Sequence, residues 1–195
     1  MADAKLVSSA KPDIAGAISS APIGTSLPTN ATTKLNTAFK NLGYISEDGL
    51  TNEDTRESEE LKAWGGDVVD TPQTGKSDKF TFTLIEVLNV DVLKEVYGPE
   101  NVTGELATGI TVEVNSKELP VHPLVVDMLL KNGAKKRIVI PNAKVLEVGE
   151  ITYADSDLAG YETTIQALPD NKGNTHYEYI KGASESTGTS SPSSS

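Results

Sequence analysis

Between Leu42 and Leu88 the chain runs LGYISEDGLTNEDTRESEELKAWGGDVVDTPQTGKSDKFTFTLIEVL, and this stretch constrains the fold more than any other. It opens on a short apolar strand signal and passes into an acidic segment that bears Gly and Asn. It then carries the chain's one tryptophan, Trp64, onto Gly65-Gly66. It closes on a run in which Phe80, Phe82 and Leu84 alternate with Thr81 and Thr83, the period of a half-buried strand. Two strand runs joined by a long charged arm predict an extended β-hairpin. No constellation of residues in the stretch can carry out chemistry.

The rest of the chain reads in the same idiom. Ile110, Val112 and Val114 alternate, as do Leu124, Val126, Met128 and Leu130. Ile138-Val139-Ile140 reads as a strand stopped by Pro141, followed by strands over 145–153, 161–168 and 177–180. Two short helices interrupt the pattern. NATTKLNTAFKN, residues 30–41, has Asn30 as an N-cap and Leu35 and Phe39 on one face. Val90–Tyr97 has Asn89 as an N-cap, a stripe of Val90, Leu93, Val96 and Tyr97, and Gly98-Pro99 as its stop. The predicted fold class is α+β and mainly β. It is an antiparallel β-sandwich or barrel with one or two short flanking helices and a long protruding hairpin loop.

At 195 residues one domain with tails is the natural division. Residues 1–20, Ala- and Ser-rich with isolated Val7, Ile14 and Ile18, read as an N-terminal arm. Residues 21–181 form the folded domain. Residues 182–195, GASESTGTSSPSSS, read as a disordered Ser-rich tail. The N-terminus has no apolar signal core, and the longest apolar run, Leu124 to Leu130, is broken by Asp127. A soluble product with no spanning helix is expected.

With 17 basic and 28 acidic residues, the formal net charge is -11. Such a chain repels phosphate, so nucleic-acid binding through a basic patch is disfavoured. There is no cysteine, which removes disulfides, thiolate metal sites and cysteine nucleophiles. His122 and His176 have no partner at a ligand spacing and read as structural imidazoles. Asp155-Ser156-Asp157 approaches a calcium loop, but Leu158 and Ala159 stand where an oxygen ligand and the turn glycine belong, so it reads as an acidic turn. No catalytic, metal or cofactor residues are assigned, and no enzyme activity is expected.

What remains is association. Glu47, Asp48, Glu53, Asp54, Glu57, Glu59 and Glu60 surround Arg56 in the arm, while Lys135, Lys136 and Arg137 form the densest basic cluster. An acidic arm and a basic cluster in one chain suggest head-to-tail docking of copies, which produces rings or filaments. Trp64 is compatible with a core place or an interface place, and Gly65-Gly66 with a bulge or sharp bend.

Several blocks, in order, resemble the major tail tube protein of long, non-contractile-tailed bacteriophages: APIGTSLPT, LGYISEDGLT, TRESEELKAWGGDVV, FTFTLIEVLN, LKEVYG, KRIVIPNAKVLEVGEITY and GYETTIQALPD. Together they span roughly residues 15–181. The resemblance implies a β-sandwich with a flanking helix, related in fold to the type VI secretion tube. Hexameric rings would join their sheets into one inner barrel and stack through long loops and terminal arms. It further implies a lumen that passes DNA without holding it, a separate tape-measure protein, and tail terminator and distal tail proteins as partners. The virion tail would be the location, with no membrane contact. On this reading the inter-ring contacts fall to Glu47, Asp48, Glu53, Asp54, Arg56, Glu57, Glu59, Lys135, Lys136 and Arg137. The alternative is a β-sandwich adhesion or carbohydrate-binding module, which normally clusters aromatics on one face. This chain scatters one Trp, six Tyr and three Phe.

Overall fold

The structure is a computed structural model that describes residues 2–13 and 16–183; the Ser-rich segment from 184 onward and Ile14 lie outside the described residues. Thirteen strands and one α-helix follow in the order β1 (Ala10–Pro12), β2 (Ile18–Ser20), β3 (Lys40–Asn41), β4 (Ile45–Ser58), β5 (Leu61–Lys62), β6 (Val68–Asp70), β7 (Gln73–Leu84), α1 (Val90–Tyr97), β8 (Val102–Glu105), β9 (Gly109–Val112), β10 (His122–Leu130), β11 (Lys135–Val148), β12 (Tyr161–Leu168) and β13 (Tyr177–Lys181). Nine strands make one antiparallel sheet ordered β3-β2-β10-β11-β12-β7-β4, with β1 beside β10 and β13 beside β11. The fold is α+β and mainly β, as the alternation implies.

Strand β11 is the hinge of this sheet. Its first half pairs with β10 on one side and β13 on the other, from Lys135↔Lys181 to Val139↔Tyr177. Its second half pairs with β12, from Asn142↔Leu168 to Val148↔Thr163. The strand therefore does not stop at Pro141, as the sequence suggests. The register with β10 shifts between His122 and Leu124, so the imino acid sits at an irregularity where a missing N–H breaks no ladder bond.

One face of the sheet encloses the core. Phe80, Phe82 and Leu84 of β7, Tyr161, Ile165 and Ala167 of β12, and Ile138, Ile140 and Val145 of β11 converge there with Val92, Leu93 and Val96 of α1. Helix α1 forms where expected. Asn89 Oδ1 accepts from the Asp91 N–H at 3.0 Å, and Val92, Leu93 and Val96 are buried. The helix ends at Gly98, whose φ of 95° and ψ of 142° lie in backbone space that only glycine occupies cheaply.

Strand β10 is apolar on both faces because both are covered. Val125 and Val139 are buried but lie outside the core cluster, on the strand face from which Arg137 bonds the segment that joins β2 to β3. That segment is not the helix predicted for residues 30–41. Asn30 does cap, with Oδ1 accepting from the N–H groups of Thr32 and Thr33 at 2.9 and 2.7 Å. Asn36 makes a second such turn onto Ala38 N–H at 2.9 Å. The carbonyls of Asn30 and Thr33, which a helix would bond internally, instead accept from Arg137 Nη1 at 3.2 and 2.7 Å. Local side-chain turns and one long-range arginine outweigh a weak helical pattern.

The core also begins earlier than the sequence suggests. Ala17 and Ile18, counted with the N-terminal arm, are buried core residues, and Ala10–Pro12 pairs with β10.

Candidate assembly interface

Strands β4 and β7 form the predicted hairpin, but the acidic segment Glu47–Glu60 is not a loop. Most of it is β4, paired with β7 from Leu50↔Phe82 to Ser58↔Gln73. Threonine, alternation and a cross-strand partner rich in Thr and Ser favour strand despite the charge. From Thr51 onward β4 is exposed along its length, and β5 and β6 extend the ribbon to a turn at Gly65-Gly66. At about 3.4 Å per residue the ten steps from Asp54 to Trp64 reach roughly 30 Å beyond the core. The arm ends in exposed apolar groups: Leu61, Val68 and Val69, with Trp64 fully exposed.

The pleat sorts the candidate contact residues onto different surfaces. Glu47 and Asp48 lie at the irregularity between Ile45 and Leu50, beside Gly49. Glu53 stands opposite Lys79 and Glu57 opposite Gly75, on the sheet face away from the core. Asp54 is on the other face with Lys76 Nζ at 3.5 Å, as is Arg56, whose Nη1 donates to Gln73 Oε1 at 3.2 Å. Glu59 follows the end of β4 and Glu60 meets Lys62 at 3.5 Å.

The basic cluster divides too. Lys135 is exposed, 3.8 Å from an Asp13 oxygen, and Lys136 pairs with Glu178 at 2.7 Å. Arg137 is buried: Nε and Nη2 donate to the two Asp127 oxygens at 2.6 and 3.0 Å, while Nη1 holds the two carbonyls of the β2–β3 segment. It is a fastening within the subunit, not the exposed docking group that its place in the sequence implies. Four of its five N–H donors are taken up within the subunit, and the side chain that carries them is buried.

The outward face of β4, β7, β12 and β11 forms a continuous polar surface. Thr81 and Thr164 hydroxyls meet at 3.0 Å, and Ser77 Oγ approaches Gln166 Oε1 at 3.4 Å. The cross-strand register adds Glu53, Glu57, Glu147 and Glu162 to this face against Lys79 and Lys144. Four carboxylates against two ammonium groups make it mildly acidic. Lys144 is drawn aside by Glu118.

At the base of the arm sits a lock that sequence reading missed. Asp78, fully buried, accepts from Asn52 Nδ2 at 2.8 Å and Thr175 Oγ1 at 2.5 Å, and its Oδ2 lies 2.6 Å from His176 Nδ1. Burial alone raises its pKa, but the hydrogen bonds from Thr175, His176 and Asn52, with the charge on His176, hold it below the ordinary carboxylate value. The lock joins β4, β7 and the turn before β13, and so sets the arm's root. A signal existed: Asp78 continues the inward alternation of Phe82 and Phe80, a polar group at a core position.

A mainly β subunit with one helix and a long bare-tipped hairpin has the parts of a self-assembling tube, and comparison with known families decides the matter. The family model described as phage tail tube protein matches residues 13–190. The chain belongs to the phage tail tube proteins. No curated protein matches it in a sequence search. As a tail tube protein it is a structural component of the bacteriophage tail, and self-assembly into the tube is what its family implies. No helix among the described residues is long and apolar enough to cross a membrane.

For a tail tube protein the open sheet edge also acquires meaning. Strand β4, fourteen residues long, ends the main sheet order with its outer side unpaired by any described strand. Free monomers blunt such edges, and polymers pair them.

Proposed function

We propose that copies of this chain close into rings, hexameric as the resemblance implies, which stack into a conduit for DNA. The reading places the polar face of β4, β7, β12 and β11 toward the lumen, with β4 as a ring-closing edge. The observation that carries it is this face: continuous, rich in Thr, mildly acidic, and bounded by a long open strand. Duplex DNA presents about one phosphate per 1.7 Å, and uncompensated Lys or Arg on the wall would form charge-assisted contacts that retard it. On this face Lys79 stands opposite Glu53 and Lys144 is drawn to Glu118. Repulsion from the remaining carboxylates is screened over about 8 Å at physiological salt, so it acts within a narrow channel. A tape-measure protein would set the length, and terminator and distal tail proteins would cap the ends.

The hairpin arm is the ring-to-ring element in this scheme, with exposed Glu47, Asp48, Asp54, Arg56 and Glu59, and with Lys135 and Lys136 as basic partners, while Glu53 and Glu57 stay on the lumenal face. Replacing residues 59–72 by Asn-Gly, a turn suited to a tight hairpin, leaves the root lock intact. Negative-stain microscopy of the concentrated wild-type protein is expected to show tubes. The shortened variant should fold and give subunits or single rings only. Tubes of ordinary length from that variant would remove the arm from stacking, and a wild-type protein that stays dispersed at every concentration would remove the tube reading itself.

A further inference from the structure

The bare tip of the arm needs a cover, and the same subunit carries a cavity suited to it. Apolar side chains left in water at the end of a 30 Å ribbon, by the roughly 3.4 Å rise per residue, mark a contact site rather than a fold element. Trp64 is fully exposed, and Leu61, Val68 and Val69 flank it. Between α1, the start of β10 and the segment after β2 lies a cavity of about 310 Å³. Pro22, Ile23, Leu119 and Val121 give it apolar walls. Its size is at the low end of pockets that enclose a small molecule, roughly 300–1,000 Å³, which suits one or two inserted side chains.

The polar groups of the two surfaces are matched in sign. Lys40 and Lys94 line the cavity together with Asp91, and among the described residues neither lysine is held in an ion pair within the subunit. The tip carries Asp67 and Asp70 beside Trp64, with the Glu60–Lys62 pair behind them. The cavity wall is rigid where it is polar: His122 Nε2 lies 2.7 Å from Glu95 Oε1, and both side chains are largely buried. A firm wall, an apolar interior and two lysines at the mouth without an ion pair of their own among the described residues are what an aromatic anchor ringed by carboxylates requires.

We propose that Trp64 of one subunit inserts into the α1 cavity of a subunit in the next ring, with Asp67 and Asp70 meeting Lys40 and Lys94. The occupant is therefore a second copy of this chain, and the contact is head-to-tail, so it propagates a stack without closing. The inference rests on the tube reading and names the acceptor that the arm docks into.

Trp64 is the chain's one tryptophan, so its emission reports this contact alone. In the dispersed subunit the spectrum should be that of a solvated indole, open to acrylamide quenching. On assembly it should shift to the blue and lose most of that quenching. Because the chain has no cysteine, the pair Asp67→Cys and Ile23→Cys can be joined by a bismaleimide in preformed tubes, with covalent subunit ladders expected. Trp64→Ala should raise the concentration needed for stacking about thirty-fold, as loss of a central aromatic anchor does. Tubes whose Trp64 emission stays solvated would overturn the inference while leaving the tube reading intact. A blue shift without cross-linking through Ile23 would overturn the choice of cavity, as when residues such as Leu6 and Val7 of the N-terminal arm occupy it instead. Failure of the wild-type protein to form tubes would overturn both.

Discussion

Replacing Arg137 by Met tests how this subunit is built, because it separates a structural arginine from a docking one. The Arg137 side chain is 7% exposed and that of Asp127 is 19% exposed. Their two bonds are joined by two more to the carbonyls of Asn30 and Thr33. Methionine keeps the apolar stem but leaves one carboxylate and two carbonyls without their donor. Breaking a buried pair from one side costs roughly 3–5 kcal/mol. Asp127 can recover some water, so the lower end, about 3 kcal/mol, applies. For a domain of this size that is a fall in Tm of about 6–12 °C. The double variant with Asp127→Leu removes the stranded charge and should recover most of the loss. The β2–β3 segment loses its fastening in the single variant, so trypsin should cut after Lys34 faster than in the wild type. Calorimetry and timed digestion read both effects. A loss under about 1 kcal/mol, the value of an exposed ion pair, with unchanged digestion, would refute the buried-fastening account and return Arg137 to the docking surface.

Two further outcomes follow from other parts of the molecule. Burial pushes the pKa of His122 down, but its bond to Glu95, the carboxylate's charge and the Pro120 carbonyl outweigh that and raise it above the ordinary value. A raised folded pKa contributes stability that is complete below about pH 6.5 and is lost as pH rises through the folded value. NMR titration should place His122 above the ordinary value in the wild type and below it in Glu95→Gln, where burial, the largest cause, is opposed by the Pro120 carbonyl but no longer by a carboxylate; an unshifted or lowered wild-type value would contradict the pairing. Truncation after Lys181 removes a segment with no side chain able to form a core, so it should leave Tm within about 1 °C and assembly unchanged; loss of tubes in that variant would make the tail structural.

The alternation Phe80, Phe82, Leu84 was legible because one face of β7 packs on the core and the other does not. Helix α1 was legible because its cap, stripe and glycine stop agree within ten residues. The segment 30–41 was not, because its conformation depends on Arg137, over a hundred residues away. Pro141 looked like a stop because a register shift that spares a missing N–H is a property of two strands, not one. Charge made Glu47–Glu60 look like a loop, although the matching Thr and Lys lie on its partner strand, at Lys76, Lys79 and Thr81. The same limit hid the Asp78 lock: Asn52, Asp78, Thr175 and His176 become neighbours only once β4, β7 and the turn before β13 are assembled. Trp64 was left open between core and interface, and only its exposure in the folded subunit separates them.

The central claim is that the polar face of β4, β7, β12 and β11 lines a tube built from this chain alone. A cryo-electron microscopy reconstruction of tubes grown from the purified protein tests it most directly. The account predicts Thr81, Thr164 and Gln166 facing the lumen, with Glu53 and Glu162 making its potential negative. A lumen of positive potential, or a reconstruction that buries this face between subunits, would contradict it.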